Sequence, residues 1–405
     1  MGQNLLHLWE SESRFLNVLS KVGSRGLKVD LIKCHAMAEL AEQEMASIRT
    51  RLGFDPGSRL DLEKALLVDL NLPVVQRSRK TDKPSFNKNA MAEYDMMLSA
   101  MGNPLAKDIL AYRGWQQANS FYYTGYQNMV SPDGRVRPNY KPTGTVTTRL
   151  SCELPNLQQI PRRSEKPWNG AVKSLFIPTN DEWVLWDFDY KSLEYRIALL
   201  YINEPEIVLR VNAGEDFHQV VADLIYEKTG VKLTRYDAKQ MNFAIVYGAG
   251  AEKLAYMLKA TRDESTGQAT GEQVEKLIYA YHEAFPGFRR TAREVAKVAK
   301  NRGYIKLWTG RRRHFNTVWA KGKEKDAFNS LCQGGGAEIV KHSMLRLFDE
   351  VDSDQCKMVL QVHDSVVCEI RKDKLDYFQA KVKAVMEDNP AFDIKFHVED
   401  KQWAS

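Results

Sequence analysis

Cysteine is scarce here and unpaired in pattern. Cys34, Cys152, Cys332, Cys356 and Cys368 are scattered without a C-x-x-C pair, so neither a disulfide framework nor a zinc site is suggested, and a reducing, intracellular compartment fits. Long apolar runs are missing too. None approaches the roughly 18–20 residues of a membrane span, and the N-terminus lacks the apolar core of a signal peptide, so a soluble protein is expected. No internal repeat is visible, which removes solenoid and propeller architectures. A strong excess of one charge is also lacking, since 58 Lys and Arg against 52 Asp and Glu leave only +6. What is present is a chain of 405 residues, 43% hydrophobic and 27% charged, enough for two or three packed units. Its cations gather locally in Arg162–Arg163, Arg289–Arg290 and Arg311–Arg312–Arg313. Such clusters suit phosphates, although a charge run taken alone is usually a solvated face.

Periodicity divides the chain into helical stretches around a small β-rich region. Residues 5–30 begin at helical spacing and end in a Gly-rich extended stretch from Val22 to Asp30. A long amphipathic helix is predicted from Leu31 to about Leu52, with Asp30 as N-cap and Met37, Leu40, Ala41 and Ile48 on one face. Leu72–Asn89 is basic and turn-rich and reads as an exposed, mobile loop; helices resume at about 90–100 and 104–127. Pro132–Pro161 is turn- and β-rich, and Trp183–Asp189 suits a buried strand. Helical patterns dominate 192–300, and Gly303–Gly310 carries a hairpin signal ahead of the Arg triplet. A helix over about 325–350 and a strand, turn and strand in Lys357–Ile370 complete the pattern.

Two carboxylates close apolar strands: Asp189 after Val184-Leu-Trp-Asp-Phe, and Asp364 after Met358-Val-Leu-Gln-Val-His. A strand end gives a side chain little freedom, which a bridging metal ligand needs. Aspartates there are also ordinary turn caps, and on these residues alone both readings stand. On a predicted helix, Arg235, Lys239, Phe243 and Tyr247 recur every four residues and form one drifting stripe. Cations at a helix start with aromatics behind them suit a nucleoside triphosphate, while the plain alternative is an amphipathic helix with solvated cations.

With these residues in hand, the chain resembles the DNA polymerase I family (family A). The stripe matches its R-x-x-x-K-x-x-x-F-x-x-x-Y-G motif, Asp189-Tyr-Lys-Ser-Leu-Glu-Tyr-Arg196 is similar to D-Y-S-Q-I-E-L-R, and Gln361-Val-His-Asp-Ser365 to Q-V-H-D-E. Thr147–Ser151, Pro155–Pro161, Gly214–His218, Gly303–Arg313 and Asn329 with Gln333-Gly also match in order and spacing, so the resemblance runs from about residue 5 to the C-terminus. It implies an α/β (α+β) right-hand fold with an antiparallel palm sheet and mostly helical thumb and fingers. The expected partition is palm 1–29, thumb 30–140, palm 141–212, fingers 213–325 and palm 326–405.

The implied activity is DNA-directed addition of deoxynucleotides to a primer 3′ end with two Mg²⁺ ions, Mn²⁺ being a substitute. Asp189 and Asp364 would hold the metals together with the Tyr190 carbonyl. Arg235, Lys239 and His218 would hold the triphosphate, with Lys239 as proton donor to pyrophosphate, Phe243 on the sugar and Tyr247 beside the templating base. Glu194 would exclude a 2′-hydroxyl. Arg149, Asn156, Gln158, Arg196, Asn329, Gln333, Gln361 and His363 would contact primer–template DNA. The partners implied are primer–template DNA and deoxynucleoside triphosphates, with the chain a monomer, accompanied or not by replication accessory proteins, and no proofreading exonuclease is expected.

Three positions depart from the family pattern: Ser365 stands where it has Glu, and Thr148 and Ala244 where it has Gly. Three other readings remain. A single-subunit RNA polymerase shares H-D-S but carries a small residue where this chain has Glu194; copying of RNA templates has no single signature; and a catalytically dead scaffold would not need Asp189, Asp364, Arg235 and Lys239 together.

Overall fold

A four-stranded antiparallel sheet organises the molecule. Its strand order is Val398–Gln402, Trp183–Tyr190, Ser365–Arg371, Cys356–Val362. The structure, a computed structural model, describes residues 6–161, 166–202, 204–246, 271–315, 323–389 and 392–404. Among the described residues the fold is mixed α/β, dominated by helices, with three smaller antiparallel sheets beside the main one. Side chains alternate across a strand. Val184, Phe188 and Tyr190 therefore enter one core with Phe15, Val18 and Met344, while Leu185 enters another with Val367, Leu360 and Trp115. Cover on both faces is why this strand reads as a nearly unbroken apolar run.

The helices follow the sequence pattern with two corrections. The extended stretch expected from Val22 starts only at Leu27, because helix Leu6–Arg25 continues while Phe15, Val18, Leu19 and Val22 remain buried. Gly26 then ends it at φ +61, where an added Cβ would lie 2.4 Å from the Val136 carbonyl oxygen. Helix Leu31–Leu52 begins as expected, with the Asp30 carboxylate accepting from Lys33 N–H at 3.0 Å. Its buried face, however, is Cys34, Ala41, Met45 and Ile48, and Leu40 is 38% exposed. At about 100° per residue, Leu40 lies a quarter turn from Ala41 and off that stripe.

The loop after Leu72 runs to Asn87, whose side chain caps helix Lys88–Ala100 through Asn89 N–H and Ala90 N–H. That helix joins Leu105–Ala118 in a separate core around Leu62, Leu66, Tyr94 and Ile109. The Gly303 signal does form a hairpin, Tyr304–Lys306 against Arg312–His314, so the Arg triplet enters the returning strand. All five cysteines are buried and free. Among the described residues no helix is long and apolar enough to cross a membrane.

Candidate active site

Strand register brings the two carboxylates to one end of the main sheet. Ser365 pairs with Asp189 on one side and Val362 on the other, so the His363–Asp364 turn lies beside the end of the central strand. Tyr190 N–H donates to the Asp364 carbonyl at 3.2 Å and joins the two segments. The turn is held from below: Gln158 Nε2 donates to Gln361 Oε1 at 2.7 Å, and Gln361 Nε2 donates to the His363 carbonyl at 2.5 Å. His363 itself is exposed and sits at φ 52. Buried Ser365 donates its hydroxyl to the Val362 carbonyl at 3.1 Å, so it is tied to the turn backbone. The Tyr190 ring points inward, its hydroxyl donating to the Met386 carbonyl at 2.6 Å and lying 2.7 Å from Ser343 Oγ.

Helix Arg235–Val246 forms the opposite wall of a cavity of about 710 Å³. Thr234 and Asp237 start it reciprocally: Asp237 N–H donates to Thr234 Oγ1 at 3.1 Å, and that hydroxyl donates back to the Asp237 carboxylate at 2.6 Å. Arg235, Lys239 and Phe243 then line the cavity together with Asp189 and Asp364. Tyr247 lies outside the described residues, as do Arg162 and Arg163. Arg235 is oriented by a two-point bond to Asp216, at 3.0 and 2.7 Å, while the same carboxylate caps the preceding helix, Phe217–Thr229, through His218 N–H and Gln219 N–H. Burial raises the Asp216 pKa, but Arg235 and these donors outweigh it and hold the carboxyl below its ordinary range.

His218 joins the same wall from a buried position. It is 5% exposed, and its Nδ1 lies 3.0 Å from Asn242 Nδ2, whose own oxygen accepts from Tyr281 at 2.8 Å. Asn242 therefore donates to Nδ1, and Nε2 carries the ring proton. Burial lowers the imidazole pKa to about 4 against the pull of Asp216, with Lys239 and Arg235 lowering it further. The ring is neutral at pH 7 and offers one N–H rather than a charge.

Arg149 reaches into the same cavity. Its guanidinium bonds Glu194 and stands 3.4 Å from Asp364 Oδ1, inside the cavity. Burial raises the Glu194 carboxyl to about 7, with Arg149 opposing the rise and Asp364 adding to it. Arg196, also expected to contact a nucleic acid, is 3% exposed and donates to the carbonyls of Lys191, at 3.1 Å, and Lys395. Desolvation makes such a guanidinium costly unless its donors are used, and these carbonyls use them. Asn156 caps a short turn through Gln158 N–H at 3.1 Å. Asn329 and Gln333 are half-buried one turn apart on helix Lys323–Glu350.

Among the lining residues that sequence reading gave no role are Glu399, Asp216 and Tyr195. Glu399 is the register partner of Asp189 and forms an ion pair with Lys191 at 2.8 Å. Alternating Ile394, Phe396 and Val398 ahead of it was the available signal, the same apolar approach to an acid that marks Asp189. Asp216 lay inside a recognised motif without a role. Tyr195 stacks on Phe217 at 4.8 Å and meets Phe243 edge-on at 5.5 Å, which fixes the aromatic wall. Among the described residues no three His, Cys, Asp or Glu side chains form a group that could hold a metal. Asp189 and Asp364 fit a hard divalent cation that takes its remaining oxygens from backbone, water and phosphate, and the Arg149 cation at Asp364 shows that the site accepts positive charge.

Fold and site together define an α/β protein whose acidic sheet end faces a cationic helix across a cleft. The chain belongs to DNA polymerase family A, whose model matches residues 31–403. It is 29% identical over 403 residues to the thermostable DNA polymerase I of Thermus aquaticus and 30% identical over 403 residues to that of Thermus thermophilus, covering 95% of this chain and 46% of each relative. The DNA polymerase I of Geobacillus stearothermophilus is 28% identical over 399 residues, 94% of this chain and 43% of the relative. The chain thus spans about half the length of the curated relatives it matches. In fold it is similar to the POL domain of Pol1 from M. smegmatis, solved in complex with DNA primer-template and dNTP. The TM-score is 0.84 at 24% identity, covering 97% of this chain and 70% of the other.

Proposed function

We propose that this chain is a DNA-directed DNA polymerase that adds deoxynucleotides to a primer 3′ end. The observation that carries the reading is the meeting of Asp189 and Asp364 at one sheet end, across a single cavity from Arg235 and Lys239. Asp189, Asp364 and the Tyr190 carbonyl would hold two Mg²⁺ ions, or Mn²⁺ in their place. Bound there, the metals supply activation of the attacking hydroxyl and charge stabilisation of the departing pyrophosphate. Arg235, aimed by Asp216, and Lys239 bind the triphosphate, and Lys239 is the group placed to give pyrophosphate a proton. Neutral His218 donates Nε2–H in the same wall. Phe243 packs on the sugar, and buried Glu194 leaves no room for a 2′-hydroxyl. Gln158 and Gln361 act through the turn that carries His363 and Asp364.

In this reading residues 1–29, 141–212 and 326–405 are the palm, 30–140 the thumb and 213–325 the fingers. The separate helical core around Leu62 and Tyr94 supports the thumb. Primer–template DNA and deoxynucleoside triphosphates are the partners. The test is extension of a labelled primer with Mg²⁺ by wild type, Asp189→Ala and Asp364→Ala. Wild type should extend on a DNA template, while both variants bind primer–template without extending it. Variant extension within about tenfold of wild type, roughly 1.4 kcal/mol of barrier, would show that other groups hold the metals.

A further inference from the structure

Helix Pro286–Arg302 contributes nothing to the catalytic cavity, yet it is the most cationic of the described elements. It carries Arg289, Arg290, Arg293, Lys297, Lys300 and Arg302 against the single acid Glu294, hence +5 in a chain whose total is +6. All six cations are exposed, and none forms an ion pair with another described residue. Elsewhere arginines are neutralised locally, as in Arg25–Asp352, Arg51–Asp108 and Arg311–Glu338. At about 100° per residue, Arg289, Lys300, Arg293, Lys297 and Arg290 fall within an arc of about 100°, and the stripe runs about 16 Å along the axis. Arg289 with Arg293, and Arg293 with Lys297, are like charges four residues apart, an arrangement that destabilises a helix left in water. A mixed-sign surface would serve a merely solvated face better.

At the start of the stripe lies a hollow of about 390 Å³, lined by Glu275, Ile278, Tyr279, His282, Glu283 and Arg289. Tyr279 is 69% exposed. His282 is held below its ordinary pKa by burial first and then by Arg289 and Arg293, so the two guanidinium groups act on one place. The carboxylates of Glu275 and Glu283 beside Tyr279 repel an acidic side chain but can accept from an N–H of a base, the ring N3–H of thymine included. We propose that this face is a second nucleic-acid site that holds a single strand, with phosphates along the cationic stripe and a base on Tyr279 in the hollow. At the roughly 3.4 Å per nucleotide of a fully stacked strand, 16 Å accommodates at most about five nucleotides. On the function proposed above, on which only the source of the strand rests, that strand is the unpaired template.

The test measures fluorescence anisotropy of a labelled (dT)12 with the full chain, across salt concentrations. Triple substitution Arg289→Ala, Arg293→Ala, Lys297→Ala should weaken binding at least tenfold near 0.1 M salt. It should also flatten the log K against log salt slope by about 2, at about 0.7 per phosphate contact on a single strand. Tyr279→Ala should cost several-fold with the slope unchanged, as loss of stacking does. Circular dichroism and extension by one nucleotide on a template without further overhang should match wild type for both variants. Unchanged affinity and slope in the triple variant overturn the proposal, and so does poly-glutamate competing as well as (dT)12, which would make the partner an acidic protein. Failure of wild type to extend any primer would sink the polymerase reading instead and leave the binding comparison standing.

Discussion

Glu194 allows the site geometry to be tested without any turnover. Its side chain is buried, and burial first, then Asp364, raise its pKa from 4.5 to about 7 against the pull of Arg149. The folded chain therefore keeps a proton on Glu194 where the unfolded chain has already released it. The stabilisation is fully present below about pH 4.5, declines as pH rises, and is lost above about pH 7. At about 1.4 kcal/mol for each tenfold change in proton affinity, the interval corresponds to about 3 kcal/mol. Glu194→Gln keeps the shape and removes the titration. Urea unfolding of both chains in metal-free buffer from pH 4.5 to 7.5 gives a difference curve in which other titrating groups cancel. Wild type should lose about 3 kcal/mol relative to the variant across that range. A flat difference curve would show that Glu194 ionises as it does in water, and the claim that burial outweighs the pull of Arg149 would then be wrong.

Three other outcomes are expected. Ser365→Ala should lower turnover by less than about tenfold and stability by about 1 kcal/mol, because the hydroxyl is used on the Val362 carbonyl; extension kinetics as poor as those of Asp364→Ala would place the hydroxyl in the metal site. Thr148 sits at φ 62 with a buried hydroxyl that has no hydrogen-bond partner, so Thr148→Gly should stabilise the chain by about 1 kcal/mol in urea unfolding, and a loss would contradict the strained backbone. His218, with its pKa lowered to about 4, should show no imidazole titration by NMR between pH 5 and 8; it favours the fold above about pH 6.5 and loses that contribution as pH falls through about 4.

Local pattern made much of this protein legible. The apolar run ending in Asp189, the strand, turn and strand around Asp364, and the stripe of Arg235, Lys239 and Phe243 are short-range signals, and each appears where its periodicity put it. Helix Leu31–Leu52 with its Asp30 cap was equally readable, since capping and amphipathicity act within a few turns. Only tertiary structure decided what those residues meet. Strand register aligned Asp189 with Ser365 and Glu399, residues more than 170 positions away in the chain. Burial made His218 neutral, turned Arg196 toward backbone carbonyls and set Arg149 between Glu194 and Asp364. A residue type states which charges and hydrogen bonds a side chain can offer; desolvation and neighbours brought in from distant segments determine which of them it keeps.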